Sequence, residues 1–265
     1  GLWLHVDACY GAAASLLPEF AERRAALARA DSISLDAHKW LFMPLTAGLV
    51  LTRHPEVAAR AFDDDASYIP GREMEAWQRG IPTSRRAAGL MVWAGLRAHG
   101  FRPIREAVGR NIRQARLAER LLQGGGFQVL EGGELSVACA RWTPAGLGSE
   151  ATDALQEGIA ERVADSGGAW FSTVWHLGKT WLRLNFVNLY TRDEHVVRLV
   201  KLIQNAAIDA GCTGEQISTV SNALHDVAGE RLHAPRPSPA GTAVSDSPPS
   251  FAAPSAQAIS SRPDL

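Results

Sequence analysis

Residues 2–6 form an almost unbroken apolar run that closes at Asp7, the pattern of a strand buried on both faces. A stretch of small residues at 11–15 then predicts a loop, and the alanine- and arginine-rich segment 19–30 predicts a helix. Short strands follow at 32–35 and at 47–51, the latter reading AGLVL. Periodicity fails between 63 and 80, where an acidic run and Pro70–Gly71 predict a long surface loop. Leu90, Trp93, Ala94 and Leu96 recur at helical spacing within 85–99, and Gly100 supplies the stop. A second helix is expected over 103–123, with Pro103 in its first turn and the glycine run at 124–126 as its end. Further on, strands are predicted at 127–130, 137–142, 170–175 and 181–185, with helices at 149–165 and 192–210. Thr191 and Glu194 have the form of a capping box for the last helix.

Strands alternating with helices in the first part predict an α/β layered sheet, followed by a compact α+β unit. The expected division is a partial large domain at 1–100, a small α+β domain at 101–211, and a tail at 212–265. The tail is rich in Ser, Ala and Pro and cannot bury enough apolar surface to offset chain entropy, so it is expected to be largely disordered. The first residue is Gly1, within two positions of a strand, which leads to the expectation that the N-terminal part of a longer protein is missing.

The chain has 265 residues, 46% of them hydrophobic, enough for a sizeable core. A net charge of −1 and the absence of any basic run argue against nucleic acid as a partner and favour small molecules. Cys9, Cys139 and Cys212 are odd in number and widely spaced, so neither a disulfide framework nor a zinc site is indicated, and a reducing cytoplasm is the expected compartment. No apolar run approaches the roughly 18 residues needed to cross a bilayer, so no membrane association is expected.

Two residues carry candidate chemistry. Asp7 and Lys39 each lie just past a predicted strand, and the 32 positions between them suffice for one helix and one return strand of a parallel βαβ unit. Both then reach the same edge of the sheet, where open α/β sheets collect their ligands. A lysine amine and a carboxylate in one crevice suit pyridoxal 5'-phosphate: the amine bonds the aldehyde, and the carboxylate keeps the pyridine nitrogen protonated.

The segments WLHVDACYGAA (3–13), ADSISLDAHKWLF (30–42) and IPTSRRAAGLMVWAGLRAHG (81–100) occur in order, and together they resemble the group II pyridoxal-phosphate-dependent decarboxylases, the family of aromatic-L-amino-acid decarboxylase. The resemblance extends through LRLNFVNLYTRDEH (182–195) to about residue 210. It implies the C-terminal part of a fold type I large domain with a mostly parallel sheet, plus the small domain. It also implies Lys39 as the cofactor-bearing lysine, Asp7 as the pyridinium partner, and His38 beside the cofactor with a catalytic or a packing role. Asp36 would fall near the phosphate, through backbone N–H groups if it touches it at all, and Ser84 would approach the phosphate from the partner subunit of a homodimer. Tyr68 would protonate the substrate carbon after carbon dioxide leaves, whereas relatives with phenylalanine there tend toward oxidative aldehyde formation. The family's phosphate-binding loop, and the ring that covers the cofactor face, lie upstream of the segment that opens this chain. The resemblance therefore implies that the chain alone binds the cofactor poorly or not at all.

The activity expected from the resemblance is decarboxylation of an aromatic or acidic L-amino acid. Two alternatives stay open: an aminotransferase or desulfurase-like enzyme, for which Arg183 would be a carboxylate-binding candidate, and an inactive fragment acting only in dimerisation.

Overall fold

A computed structural model describes residues 1–62, 80–81 and 84–210. Tyr68, most of the irregular 63–80 segment and the 212–265 tail lie outside the described residues. The described elements form two sheets. The first has strand order β1 (His5–Asp7), β2 (Ser32–Asp36), β3 (Gly48–Thr52). The second has order β4 (Gln128–Val129), β5 (Val137–Arg141), β7 (Lys179–Asn185), β6 (Ser172–His176).

β1 and β2 pair in parallel, with His5 opposite Ser32 and Asp7 opposite Ser34. The expectation of a mostly parallel sheet is corrected at the next pair, because β3 runs antiparallel to β2, Asp36 facing Gly48. The reason is chain length. Residues 37–47 hold only a one-turn helix, α2 (Ala37–Trp40), too little for the crossover that a parallel return requires. Between β1 and β2 the predicted 19–30 helix is shorter than expected: two 3-10 turns (Gly11–Leu16 and Pro18–Phe20) precede α1 (Ala21–Leu27). Among the described residues β1 stands at the edge of its sheet, with Leu2 99% exposed and Trp3 and Leu4 half exposed, so the burial expected for 2–6 is not met among them.

After β3 come α3 (Pro55–Ala61), α4 (Ala88–His99) and α5 (Arg102–Gly124). Gly100 ends α4 at φ 69°, a left-handed backbone that glycine adopts without steric cost. α4 turns Val92 and Leu96 toward Ala37 and Ala47 and leaves Leu90 and Trp93 outward. α5 buries a stripe at helical spacing that runs through Ile104, Val108, Asn111, Ala115, Ala118 and Leu122. Its first half packs around Trp40 with Ala13, Ala14 and Leu17; its second half packs with the four-stranded sheet. That sheet is covered on the same side by α6 (Ser149–Asp165) and α7 (Asp193–Asp209), with Leu182, Leu184, Ile159, Val200 and Ile203 at the centre of the larger core. The expected capping box at Thr191 and Glu194 shifts by one position. Arg192 is the N-cap of α7, and its N–H donates to His195 Nδ1 at 3.2 Å.

No described helix is long and apolar enough to cross a membrane.

Candidate active site

The parallel pairing of β1 with β2 brings both strand ends to one edge, and the chain leaves each end into a tight turn. Asp7 closes β1. Its Oδ1 accepts the Cys9 N–H at 3.0 Å and the Ser34 hydroxyl at 3.4 Å. The Cys9 contact above all, with smaller help from Ser34 and the charge of Lys39, holds the Asp7 carboxyl below the ordinary carboxylate range. It is therefore a fixed anion at neutral pH.

Asp36 ends β2 and is the N-cap of α2, which places Lys39 one turn later. Lys39 Nζ lies 2.8 Å from Asp36 Oδ2, and this contact raises the lysine's proton affinity. Lys39 and Asp7 both line one cleft of about 690 Å3, a size in the range of small-molecule sites. The rest of the wall includes Cys9, Tyr10 and Phe20 on the β1–α1 connection, Arg23 and Leu27 on α1, and Glu134 and Leu135 far along the chain.

The other sequence candidates fall at different places. His38 is turned away toward β3: its Nδ1 accepts the Ala47 N–H at 3.1 Å, and Nε2 stands 3.9 Å from Asp36 Oδ2. A neutral ring accepting at Nδ1 carries its proton on Nε2, facing that carboxylate. Asp36 directs its carboxylate at Lys39. Ser84 is exposed and is not among the residues that line the cleft.

Sequence reasoning passed over Tyr10. Its ring stacks on Trp40, with centroids 4.8 Å apart and planes within 5° of parallel. Its hydroxyl donates to Asn185 Oδ1 at 2.9 Å and shares a short contact with Ser136 Oγ, so it ties the cleft wall to the four-stranded sheet. Burial pushes the phenol up to about 12, against the pull of the Ser136 hydroxyl and the Arg183 charge. The local signal for Tyr10 was its place three residues after Asp7; nothing local announced Leu135.

Residues 1–141 match the family model described as the pyridoxal-dependent decarboxylase conserved domain. Among curated proteins, the aromatic-L-amino-acid decarboxylase of Bacillus atrophaeus is 29% identical over 226 residues, which is 81% of this chain and 47% of that protein. The 4-hydroxyphenylacetaldehyde synthase of Rhodiola rosea is 30% identical over 216 residues, 78% of this chain and 43% of that protein. Among solved structures, Catharanthus roseus tryptophan decarboxylase in complex with L-tryptophan aligns with a TM-score of 0.69 at 25% identity, covering 79% of this chain and 45% of that one. The chain thus spans less than half the length of these relatives.

Proposed function

The chain belongs to the pyridoxal-dependent decarboxylase family, and from that premise we propose that it carries the lysine half of a site that removes the carboxylate of an aromatic L-amino acid as carbon dioxide, leaving the amine. The observation that supports this reading most is the placement of Asp7 and Lys39 on the wall of the same cleft. Those two groups, an ionised carboxylate and a primary amine, are the donor set that pyridoxal 5'-phosphate needs at its ring nitrogen and its aldehyde, and the cleft has room for the group and a substrate.

Pyridoxal 5'-phosphate, when bound, supplies a protonated ring that takes up the electron pair released as the carboxylate leaves. Asp7, kept anionic by the Cys9 N–H, would face the ring nitrogen and favour its protonated form. Lys39 would hold the cofactor through its amine, and Asp36, 2.8 Å away, stabilises the ammonium form of that amine. Tyr10, Phe20, Leu27 and Leu135 give the cleft an apolar share that suits an aromatic side chain, and the Arg23 guanidinium on the same wall is already paired with Glu134. Tyr68 is assigned as proton donor to the substrate carbon on the family resemblance alone. We read residues 1–100 as the cofactor-binding part and 101–211 as the small domain, working in a cytoplasmic homodimer in which Ser84 approaches the partner's site.

The test uses the three lysines of the sequence, Lys39, Lys179 and Lys201. The purified chain is incubated with excess pyridoxal 5'-phosphate, reduced with borohydride, and mapped by mass spectrometry; carbon dioxide release is then measured on a panel of amino acids. Trapping concentrated on Lys39 and release from aromatic substrates supports the reading. Trapping spread evenly over the three lysines sinks it.

A further inference from the structure

Building on the reading of Lys39 as the lysine that carries the cofactor, we infer that Asn111 is a positioning residue for Lys39, acting through Trp40. α2 has only four residues and no side-chain cap, so it cannot orient its own lysine. Its start is fixed by the Ala37 and His38 N–H groups, which donate to Ala47 O at 2.8 and 3.3 Å. Its end is fixed by Trp40, which is fully buried beside Lys39. The indole N–H donates to Asn111 Oδ1 at 3.1 Å, while the indole face stacks on Tyr10.

Asn111 does not stand alone. Its amide donates to Gln114 Oε1 at 3.1 Å and to Asn188 O at 3.2 Å, and Gln114 in turn donates to Thr191 O at 2.7 Å. Both carboxamides are fully buried in the middle of α5, where asparagine is a poor helix former and an unpaired amide is costly. Burial of such groups is tolerated when each is satisfied, and here every contact leads toward either Trp40 or the segment between β7 and α7. The path therefore joins the residue next to Lys39 to the mouth of the four-stranded sheet. With the end of α2 held, Lys39 stays in register with Asp36, one turn earlier, at 2.8 Å.

The experiment follows amine labelling of the cofactor-free chain, with peptide mapping to resolve each lysine and exposed Lys179 as internal reference. It is therefore independent of cofactor trapping: if trapping misses Lys39, the reading of Lys39 fails whatever the labelling shows. In Asn111→Leu the indole N–H and the Asn188 carbonyl lose their partner, the Lys39–Asp36 contact loosens, and labelling of Lys39 below its pKa rises roughly fivefold, the factor that one lost hydrogen bond corresponds to. Gln156→Leu is the stability control, since Gln156 is equally buried but, among the described residues, bonds to Trp142 and Thr152 in the other core. A rise in Asn111→Leu with no rise in Gln156→Leu supports the assignment. Wild-type labelling in Asn111→Leu, or an equal rise in both variants, overturns it. Should Asn111→Leu not fold, Trp40→Phe, which keeps a six-membered ring toward Tyr10 and removes the donor with part of the indole's volume, must show the same rise, and a wild-type rate there overturns the assignment.

Discussion

Lys39 Nζ and Asp36 Oδ2 stand 2.8 Å apart, the amine and the carboxylate separated by one turn at the exit of β2. The pair holds the amine as an ammonium, the form that does not attack an aldehyde, because the Asp36 contact raises its pKa from the ordinary 10.5. Asp36→Asn removes the charge at nearly constant shape. The neutral fraction of Lys39 at a given pH then grows about tenfold for each unit by which its pKa falls. Reductive methylation followed against pH is expected to show the Lys39 profile moving to lower pH in Asp36→Asn, with Lys179 unmoved. Coincident profiles would remove Asp36 from the account.

Tyr10 gives a second expectation, at alkaline pH. Its folded pKa of about 12 lies above the ordinary 10.0, so the folded chain keeps a proton that the unfolded chain releases. The stabilisation is complete below 10 and is lost as pH rises through the folded value. Wild-type protein should therefore lose stability across that window by more than Tyr10→Phe does. At neutral pH, before that loss begins, wild type is the more stable: Tyr10→Phe leaves Asn185 and the buried Ser136 without the hydroxyl and costs about 1–3 kcal/mol. Urea unfolding of both proteins on either side of the window measures how far the gap narrows, and parallel curves would contradict it.

The Asp7–Lys39 relationship was legible because two local signals sufficed: apolar runs that stop at an acid, and a spacing that permits one parallel return. The pairing is parallel, as that spacing permits, with Asp7 opposite Ser34. The direction of β3 was missed because an apolar run such as 47–51 carries no sign of parallel or antiparallel pairing; only the short 37–47 connection does. Trp40 and Asn111 are 71 positions apart, and Tyr10 and Ser136 are 126 apart, so their contacts depend on how α5 and β5 pack rather than on any nearby pattern. The cap of α7 moved from Thr191 to Arg192 for a similar reason: the Thr191 carbonyl is engaged by Gln114 from α5.

In the second core, Asp153 Oδ1 accepts the Thr180 N–H at 2.6 Å and Arg141 Nη1 at 2.5 Å. These two contacts, the backbone one first, hold its pKa below the ordinary 3.8. The resulting stabilisation is present above 3.8 and is lost as pH falls through the folded value. Asp153→Asn leaves the Arg141 guanidinium, 3% exposed, without its counter-charge. A lower melting temperature is expected for the variant at neutral pH, with the gap narrowing toward acid as the wild type protonates. A gap independent of pH would show that the charge of Asp153 does not matter.

Tyr68 is proposed to bear on product identity. Its resemblance to the family's proton-donating tyrosine predicts that the wild-type residue directs the reaction to the amine. Tyr68→Phe should shift the product ratio from amine toward aldehyde. Chromatographic quantification of both products from one aromatic substrate decides the matter, and an unchanged ratio would assign Tyr68 a packing role instead.

Asp7→Asn tests the proposed anionic partner of the ring nitrogen without emptying its place. The amide oxygen can still accept the Cys9 N–H, so the turn after β1 has reason to keep its shape. What disappears is the negative charge that the Cys9 contact stabilises, and with it, on the proposed reading, the interaction that would keep a proton on the pyridine ring. Covalent trapping at Lys39 should survive, because the amine and its Asp36 partner are untouched. Carbon dioxide release should fall on the order of 10²-fold or more, since the ring can no longer accept the electron pair as a cation and several kcal/mol of barrier return. The split between the two readouts carries the test. Trapping lost together with turnover would mean that Asp7 serves the binding of the cofactor rather than its chemistry, and turnover left intact would mean that the carboxylate faces something other than the ring nitrogen.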